Sequence, residues 1–358
     1  MNISEKSKEI MANCRFCWMC RHVCPIGNAT GLERNTARAR ALGASLVESN
    51  TIELKEVADN IYECTLCGAC TNNCMTGWDP KVFIQEYRRE IIMNGVAPDY
   101  VLSLLAKYQE SGNVYGKQAC SCLNGAVANG NDTLFFAGQD AILCTPENVL
   151  TSLSLLNKAG VKADFALDQD SASALWFLTG KTAETKQVAE KCAEILNKYK
   201  TVVVYDPVDL SLMLHEYNEW GIEITAQLVS FNKYLLSLIE DGKLSVKKSD
   251  KEYTLQDSYA YARELDDSET ARKLIEKVGS VKDMLLIGKE ANLAGQLIMR
   301  EYMPNVIKDV AINRWNDALR MGLKTIVTEN PAEYVMLKET APEGFRVITV
   351  EQMLLENI

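Results

Sequence analysis

Cys14-Arg15-Phe16-Cys17-Trp18-Met19-Cys20-Arg21-His22-Val23-Cys24-Pro25 has a partner further along the chain in Cys64-Thr65-Leu66-Cys67-Gly68-Ala69-Cys70-Thr71-Asn72-Asn73-Cys74, with the same cysteine spacing. Together the two runs take eight of the twelve cysteines. Three thiolates at three-residue steps on a tight loop can address three corners of one iron–sulfur cube. A fourth, set off by a longer step, turns away and completes the other cube. The spacing therefore assigns Cys14, Cys17, Cys20 and Cys74 to one [4Fe-4S] cluster, and Cys64, Cys67, Cys70 and Cys24 to a second. Pro25 is expected to stop helix from continuing past the first run. The second run has Met75 there, which removes no ligand.

Two other uses of cysteine fit less well. A disulfide framework suits small secreted chains, and 358 residues can bury an ordinary core. Zinc sites use paired Cys-x-x-Cys units and leave the third and fourth cysteine of each run without a role. The opening Met-Asn-Ile-Ser-Glu-Lys lacks the apolar centre of a signal peptide, and cubane clusters in such a chain predict a cytoplasmic and anaerobic setting. No apolar stretch approaches the ~20 residues of a membrane span. Formal charge is −10. Residues 1–95 are balanced at 11 basic and 11 acidic side chains, so the excess acid lies entirely beyond them. No basic face suited to nucleic acid is evident. Arg34, Arg38 and Arg40 beside the first run read as a solvated helix face in preference to a docking patch.

Between the runs, residues 31–60 carry apolar positions three and four apart, as do residues 81–93, which predicts helices around the clusters. Residues 1–95 thus read as an α-helical ferredoxin module, and 96–132 as a connector. Beyond 133 short apolar runs alternate with amphipathic stretches, the pattern of an α/β region. Strands are expected at Thr133–Ala137, Val161–Phe165, Thr201–Tyr205, Glu252–Leu255, Met284–Ile287, Thr325–Thr328 and Arg346–Val350. Helices are expected over 147–158, 183–199, 208–218, 228–240, 267–277, 306–321 and 332–339. Lys200-Thr201-Val202-Val203-Val204-Tyr205-Asp206-Pro207 aligns with Lys324-Thr325-Ile326-Val327-Thr328-Glu329-Asn330-Pro331. Each is a strand leading through an N-cap residue into a proline-started helix. The expected fold is a helical dicluster module followed by two related α/β repeats, 133–249 and 250–358.

This organisation resembles the iron–sulfur subunits of the heterodisulfide reductase, glycerol-3-phosphate dehydrogenase, glycolate oxidase and lactate utilisation systems. The likeness is strongest at Cys14–Leu42 and weaker at Phe135–Gly138, Leu238–Leu244 and Asp257–Arg263. In that family the α/β repeats carry Cys-Cys-Gly motifs and lone cysteines that bind further clusters in some members. Here those cysteines are gone. Gln139, the segment Asp168–Ala174, Asp257-Ser258-Tyr259 and Asn292-Leu293-Ala294-Gly295 stand in their place. Asp206, Asp209, Asn330 and Glu333 occupy the positions of the Cys-Pro-x-x-Cys elements. Oxygen and amide groups are poor ligands for a soft iron–sulfur core, so the C-terminal region is expected to retain the fold as degenerate Cys-Cys-Gly domains without their clusters.

Four cysteines remain. Cys192 and Cys144 read as small core residues, while Cys120 and Cys122 in the connector read as a redox pair or as two ligands of an extra site, although two adjacent thiols cannot complete a cluster alone. Helix capping explains Asp206, Asp209, Asn330 and Glu333 better than a hard-metal site does. His22 and His215 are the only histidines, which excludes a multi-histidine metal centre. His22 is a candidate for tuning or shielding a cluster, and Trp18 for excluding water from one or for packing its loop. No dinucleotide-binding glycine pattern is present, so no flavin site is expected in this chain.

The resemblance implies an electron-transfer subunit without its own substrate site. Its expected partner is a flavoprotein of the FAD-linked 2-hydroxy-acid dehydrogenase type, which supplies electrons to be passed to an acceptor. Two alternatives stand beside this: a heterodisulfide-reductase-like catalytic subunit with an unorthodox C-terminal site, and a structural wiring subunit of a larger redox complex.

Overall fold

The computed structural model describes all residues, Met1–Ile358. Seven helices build the N-terminal part: α1 Glu5–Ala12, α2 Pro25–Thr30, α3 Ala37–Glu48, α4 Leu54–Tyr62, α5 Ala69–Asn72, α6 Pro80–Met93 and α7 Asp99–Ser111. Pro25 does not end a helix as expected. It opens α2 at the first turn, where its missing N–H costs nothing, and Cys24 caps that turn. Helix α4 shows how locally these elements are specified. A capping box between Glu53 and Glu56 starts it, and Val57, Ala58, Ile61 and Tyr62 turn one face inward. Helix α7 runs through the segment expected to be connector. Its Val101 and Leu104 are buried, and a left-handed Gly112 stops it.

Two parallel sheets follow. β1 Thr133–Phe136, β2 Thr201–Val204 and β3 Gln227–Ser230 pair in the order β1-β2-β3. β4 Glu252–Gln256, β5 Ser280–Val281, β6 Thr325–Thr328 and β7 Arg346–Thr349 pair in the order β5-β4-β6-β7. Three expectations need correction. Residues 161–165 make only isolated bridges, Ala128 to Phe165 and Leu134 to Asp164. Met284–Ile287 is not a strand, and the short edge β5 lies just before it. Residues 228–230, expected as the start of a helix, belong to edge strand β3, and the helix Phe231–Glu240 begins only after Ser230 caps it.

β2 and β6 hold corresponding interior positions, and each leads into a helix with proline in its first turn. Asp206 accepts the Val208 N–H at 2.8 Å, and Asn330 accepts those of Ala332 and Glu333 at 2.9 and 3.1 Å. Both caps therefore form as the sequence predicts.

One hydrophobic core runs from the helical part into the sheet region, taking in Ile61, Phe83 and Tyr87 as well as Phe177, Leu178, Leu297, Met299 and Ile307. Polar bonds follow the same seam. Tyr62 donates to the Leu178 carbonyl at 2.8 Å, and Tyr302 donates to the Tyr62 carbonyl at 2.7 Å.

Candidate iron–sulfur centre

The loops between these helices bring the eight cysteines together in two groups that exchange members. Cys14 interacts with Cys17 and Cys74, and Cys20 with Cys14 and Cys17. Cys24 interacts with Cys64 and Cys67, and Cys70 with Cys64, Cys67 and Cys24, as well as with Cys20 of the other group. Cys24 of the first run thus lies within electrostatic reach of Cys64, Cys67 and Cys70, and Cys74 of the second run lies within reach of Cys14. Two strained residues shape these loops: Phe16 and Leu66, at corresponding places in the two runs, both take positive φ, 50° and 56°. Backbone N–H groups point at sulfur, from Gly27 to Cys24 and from Leu66 to Cys64, each at 3.4 Å. Burial raises the thiols of Cys14, Cys20, Cys24 and Cys70 above the ordinary range.

The surroundings test whether an anionic cluster suits this place. Arg40 is 1% exposed and Arg88 is fully buried, and neither touches a carboxylate. Arg40 donates to the carbonyls of Asn35 and Asn60 at 2.7 and 2.8 Å, and its Nη2 has no partner. Arg88 donates to the carbonyls of Phe177, Ile61 and Cys64, and its Nε has none. Both guanidiniums lie within electrostatic reach of Cys64, and Arg40 of Cys24 as well. A buried cation without a close ion-pair partner is costly, and of the carboxylates only Glu63 lies within electrostatic reach of Arg40. Four thiolates around an iron–sulfur core supply further negative charge, so the residues present fit the group. Neither quartet closes to the spacing of a single-ion site, whereas a cube holds its thiolates further apart.

The two quartets differ in shelter. Cys17 is exposed, and around the first run so are Phe16, Met19, Trp18 at 57% and Met75 at 88%. Trp18 shields less than expected: Arg38 stacks over it at 4.3 Å and Arg21 at 5.4 Å. His22 is exposed. Arg34, Arg38 and Arg40 do not form one stripe, because Arg40 turns inward. Cys67 of the second run is 6% exposed. Its carbonyl accepts from Arg263 at 2.9 Å, and the same guanidinium also reaches the carbonyls of Lys289 and Ala291. Arg263 lies on a π-helical turn, Ala260–Glu264, and its neighbour Glu264 pairs with Lys81 of α6 at 2.7 Å. The sheet region thereby clamps the second quartet.

Beside that clamp is a cavity of about 370 Å³, lined in part by Leu66 but by none of the eight cysteines. Gln139, Ser173, Asp206, Tyr259, Gly295 and Asn330 also line it. These fall within the segments where cysteine is missing relative to the resembled pattern, so those scattered departures converge on one place. Nearby carboxyls are held toward the neutral form by burial: Asp206 well above its usual range, Asp209 to about 7 and Glu333 to about 8. Tyr259 is within electrostatic reach of Cys67, Asp206 and Glu264. Sequence reasoning named most of these positions as losses, and did not foresee that the fold gathers them next to the second quartet. It also missed Arg88 and Arg263, for which no cysteine-like motif exists.

Among the leftover cysteines, Cys192 is buried as expected. Cys144 is half-buried, with Lys117 Nζ at 4.0 Å, so it is less of a core residue than predicted. Cys120 and Cys122 are bonded to one another.

Comparison with known proteins agrees with this geometry. Residues 10–78 match the family described as 4Fe-4S dicluster domain. The chain is 23% identical over 312 residues to one of the subunits of the dihydromethanophenazine:CoB–CoM heterodisulfide reductase of Methanosarcina mazei, covering 75% of this chain and 73% of that one. The counterpart from Methanosarcina acetivorans is 22% identical over 306 residues with the same coverage. A crystal structure of a hypothetical protein from Helicobacter pylori superposes with a TM-score of 0.53 at 12% identity, covering 99% of this chain and 73% of that one, which is a likeness of fold. No helix is long and apolar enough to cross a membrane. With its paired cysteine runs and a 4Fe-4S dicluster domain, the chain is an iron–sulfur redox protein similar to these heterodisulfide reductase subunits.

Proposed function

We propose that the chain is the electron-relay subunit of a cytoplasmic oxidoreductase complex from an anaerobic setting. It would hold two [4Fe-4S] clusters, one on Cys14, Cys17, Cys20 and Cys74 and the other on Cys64, Cys67, Cys70 and Cys24. The observation that supports this reading is the approach of Cys24 to the cysteines of the second run, together with two buried arginines that make no salt bridge to a carboxylate. Bound there, cubane clusters supply one-electron steps. The protein's own contribution is to hold the thiolates, exclude water from the second quartet, and offset its charge with Arg40 and Arg88. The partner in this reading is a flavoprotein of the FAD-linked 2-hydroxy-acid dehydrogenase type, whose two-electron cofactor must discharge into one-electron carriers. The sheet region, read as two degenerate repeats over 133–249 and 250–358 after the 1–95 module and the 96–132 segment, is its docking platform. Anaerobic co-purification from the native host is expected to retain a flavoprotein, with about eight iron atoms per chain. A chain that comes out alone and turns over a small substrate would overturn this.

The cavity beside Cys67 favours a second reading, a heterodisulfide-reductase-like protein that does chemistry in its own sheet region. Iron content distinctly above that of two cubes, or turnover abolished by Asp206→Asn with cluster content intact, would establish it over the first.

A further inference from the structure

We infer that Cys120 and Cys122 are a redox centre separate from the cysteine quartets: a dithiol/disulfide couple that exchanges electrons with an external thiol. The two are bonded, with Cα atoms 5.2 Å apart, inside the range a disulfide requires. A structural role does not account for the bond. It closes a loop across a single residue, Ser121, and so removes little freedom from the unfolded chain. A metal role needs more ligands than these two sulfurs, which cannot complete a cluster alone. In the cytoplasmic setting of the proposed function, on which this step rests, disulfides are usually transient and catalytic or redox-sensing.

The local structure assigns the two sulfurs different parts. Cys120 caps the short 3₁₀ turn Ser121–Ala126, and its sulfur accepts the Cys122 N–H at 3.2 Å. That donor stabilises a thiolate on Cys120 and makes it the better leaving group. Cys122 is the exposed member, and it opens on a shallow hollow lined by Gly125, Ala126, Leu150, Leu153 and Lys158. An incoming thiolate attacks the Cys122 sulfur, forms a mixed disulfide there and releases Cys120 as thiolate. A second external thiol then attacks the mixed bond, leaving Cys122 reduced and the two external sulfurs joined. Two thiols are oxidised to one disulfide, and their two electrons and two protons reside on Cys120 and Cys122.

The holoprotein, equilibrated anaerobically in glutathione buffers, acid-quenched and alkylated, provides the test. Mass analysis of the peptide carrying both cysteines is expected to show either no label or two, converting with one midpoint. In oxidised glutathione, Cys120→Ser should accumulate a stable adduct on Cys122, whereas the parent protein should clear it by forming the internal bond. Both Cys120→Ser and Cys122→Ser should keep the parent's iron content. Replacing glutathione with thioredoxin at equal thiol identifies the source: faster reduction assigns it to a protein dithiol, slower reduction to a small thiol. The inference is overturned if both cysteines stay fully labelled across the buffers, if they label independently, or if either variant loses iron.

Discussion

The two cysteine quartets share a spacing and differ in nearly everything around them. The first opens to solvent through Cys17 and is rimmed by Phe16, Trp18, Met19 and Met75. The second is roofed by the sheet region, held through the Cys67 carbonyl by Arg263, and backed by buried Arg40 and Arg88. Identical ligand motifs therefore leave one loop open to solvent and bury the other beneath the sheet region. Burial disfavours added negative charge, while nearby cations favour it. At the second quartet both influences act, and neither guanidinium makes a salt bridge to a carboxylate.

The most drastic way to break the comparison is to remove a crossing ligand. Cys24→Ala, although it lies in the first run, should abolish the spectroscopic signal of the second quartet, with iron falling from about eight to about four per chain. Loss of the first signal instead would refute the exchange. Arg40→Met should come next. It deletes a buried cation beside Cys24 and Cys64, and should lower the second potential by ~60–120 mV, or about 1.4–2.8 kcal/mol per electron at an effective dielectric of about 20. Potentiometric titration followed by EPR reads this directly, and Arg34→Met on the exposed side should move neither potential comparably.

Smaller effects sharpen the contrast within the sheet region. Asp206→Ala removes the N-cap of the helix after β2 and should cost about 1 kcal/mol in anaerobic urea unfolding. The pH dependence follows from the buried acids. Burial lifts Asp209 from 3.8 to about 7 and Glu333 from 4.5 to about 8. Both bind a proton more tightly when folded, so their stabilisation is complete below the ordinary carboxylate range and is lost as pH rises through about 7 and about 8. Unfolding measured at about pH 5 and about pH 9 should show lower stability at the alkaline end. Asp209→Asn and Glu333→Gln should each flatten that fall.

The cysteine spacing made the 4Fe-4S dicluster domain legible, and short apolar runs marked β1, β2, β4, β6 and β7. What escaped did so for local reasons. Strand β3 is an edge with half-exposed residues, so Gln227–Ser230 lacks the apolar run that betrays an interior strand. Helix α7 was hidden by the Gly- and Asn-rich stretch after it, although Val101 and Leu104 are spaced as one buried face. Arg40 was grouped with Arg38, but residues two apart point to different sides of a helix. The cavity was illegible because its lining comes from segments far apart in sequence, which only the packed sheets bring together. No motif marks a guanidinium that recognises backbone carbonyls, as those of Arg88 and Arg263 do.

Arg263 also bears on biogenesis. The grip on Cys67 comes from a residue translated long after the last ligand, Cys74, has left the ribosome. A nascent chain therefore has every sulfur available while the wall behind its inner site does not yet exist. Iron delivered at that stage meets an open second quartet, and durable loading there must await folding of the distal segment. Truncation shortly before residue 263 should consequently yield protein whose outer site matures and whose inner site sheds its metal.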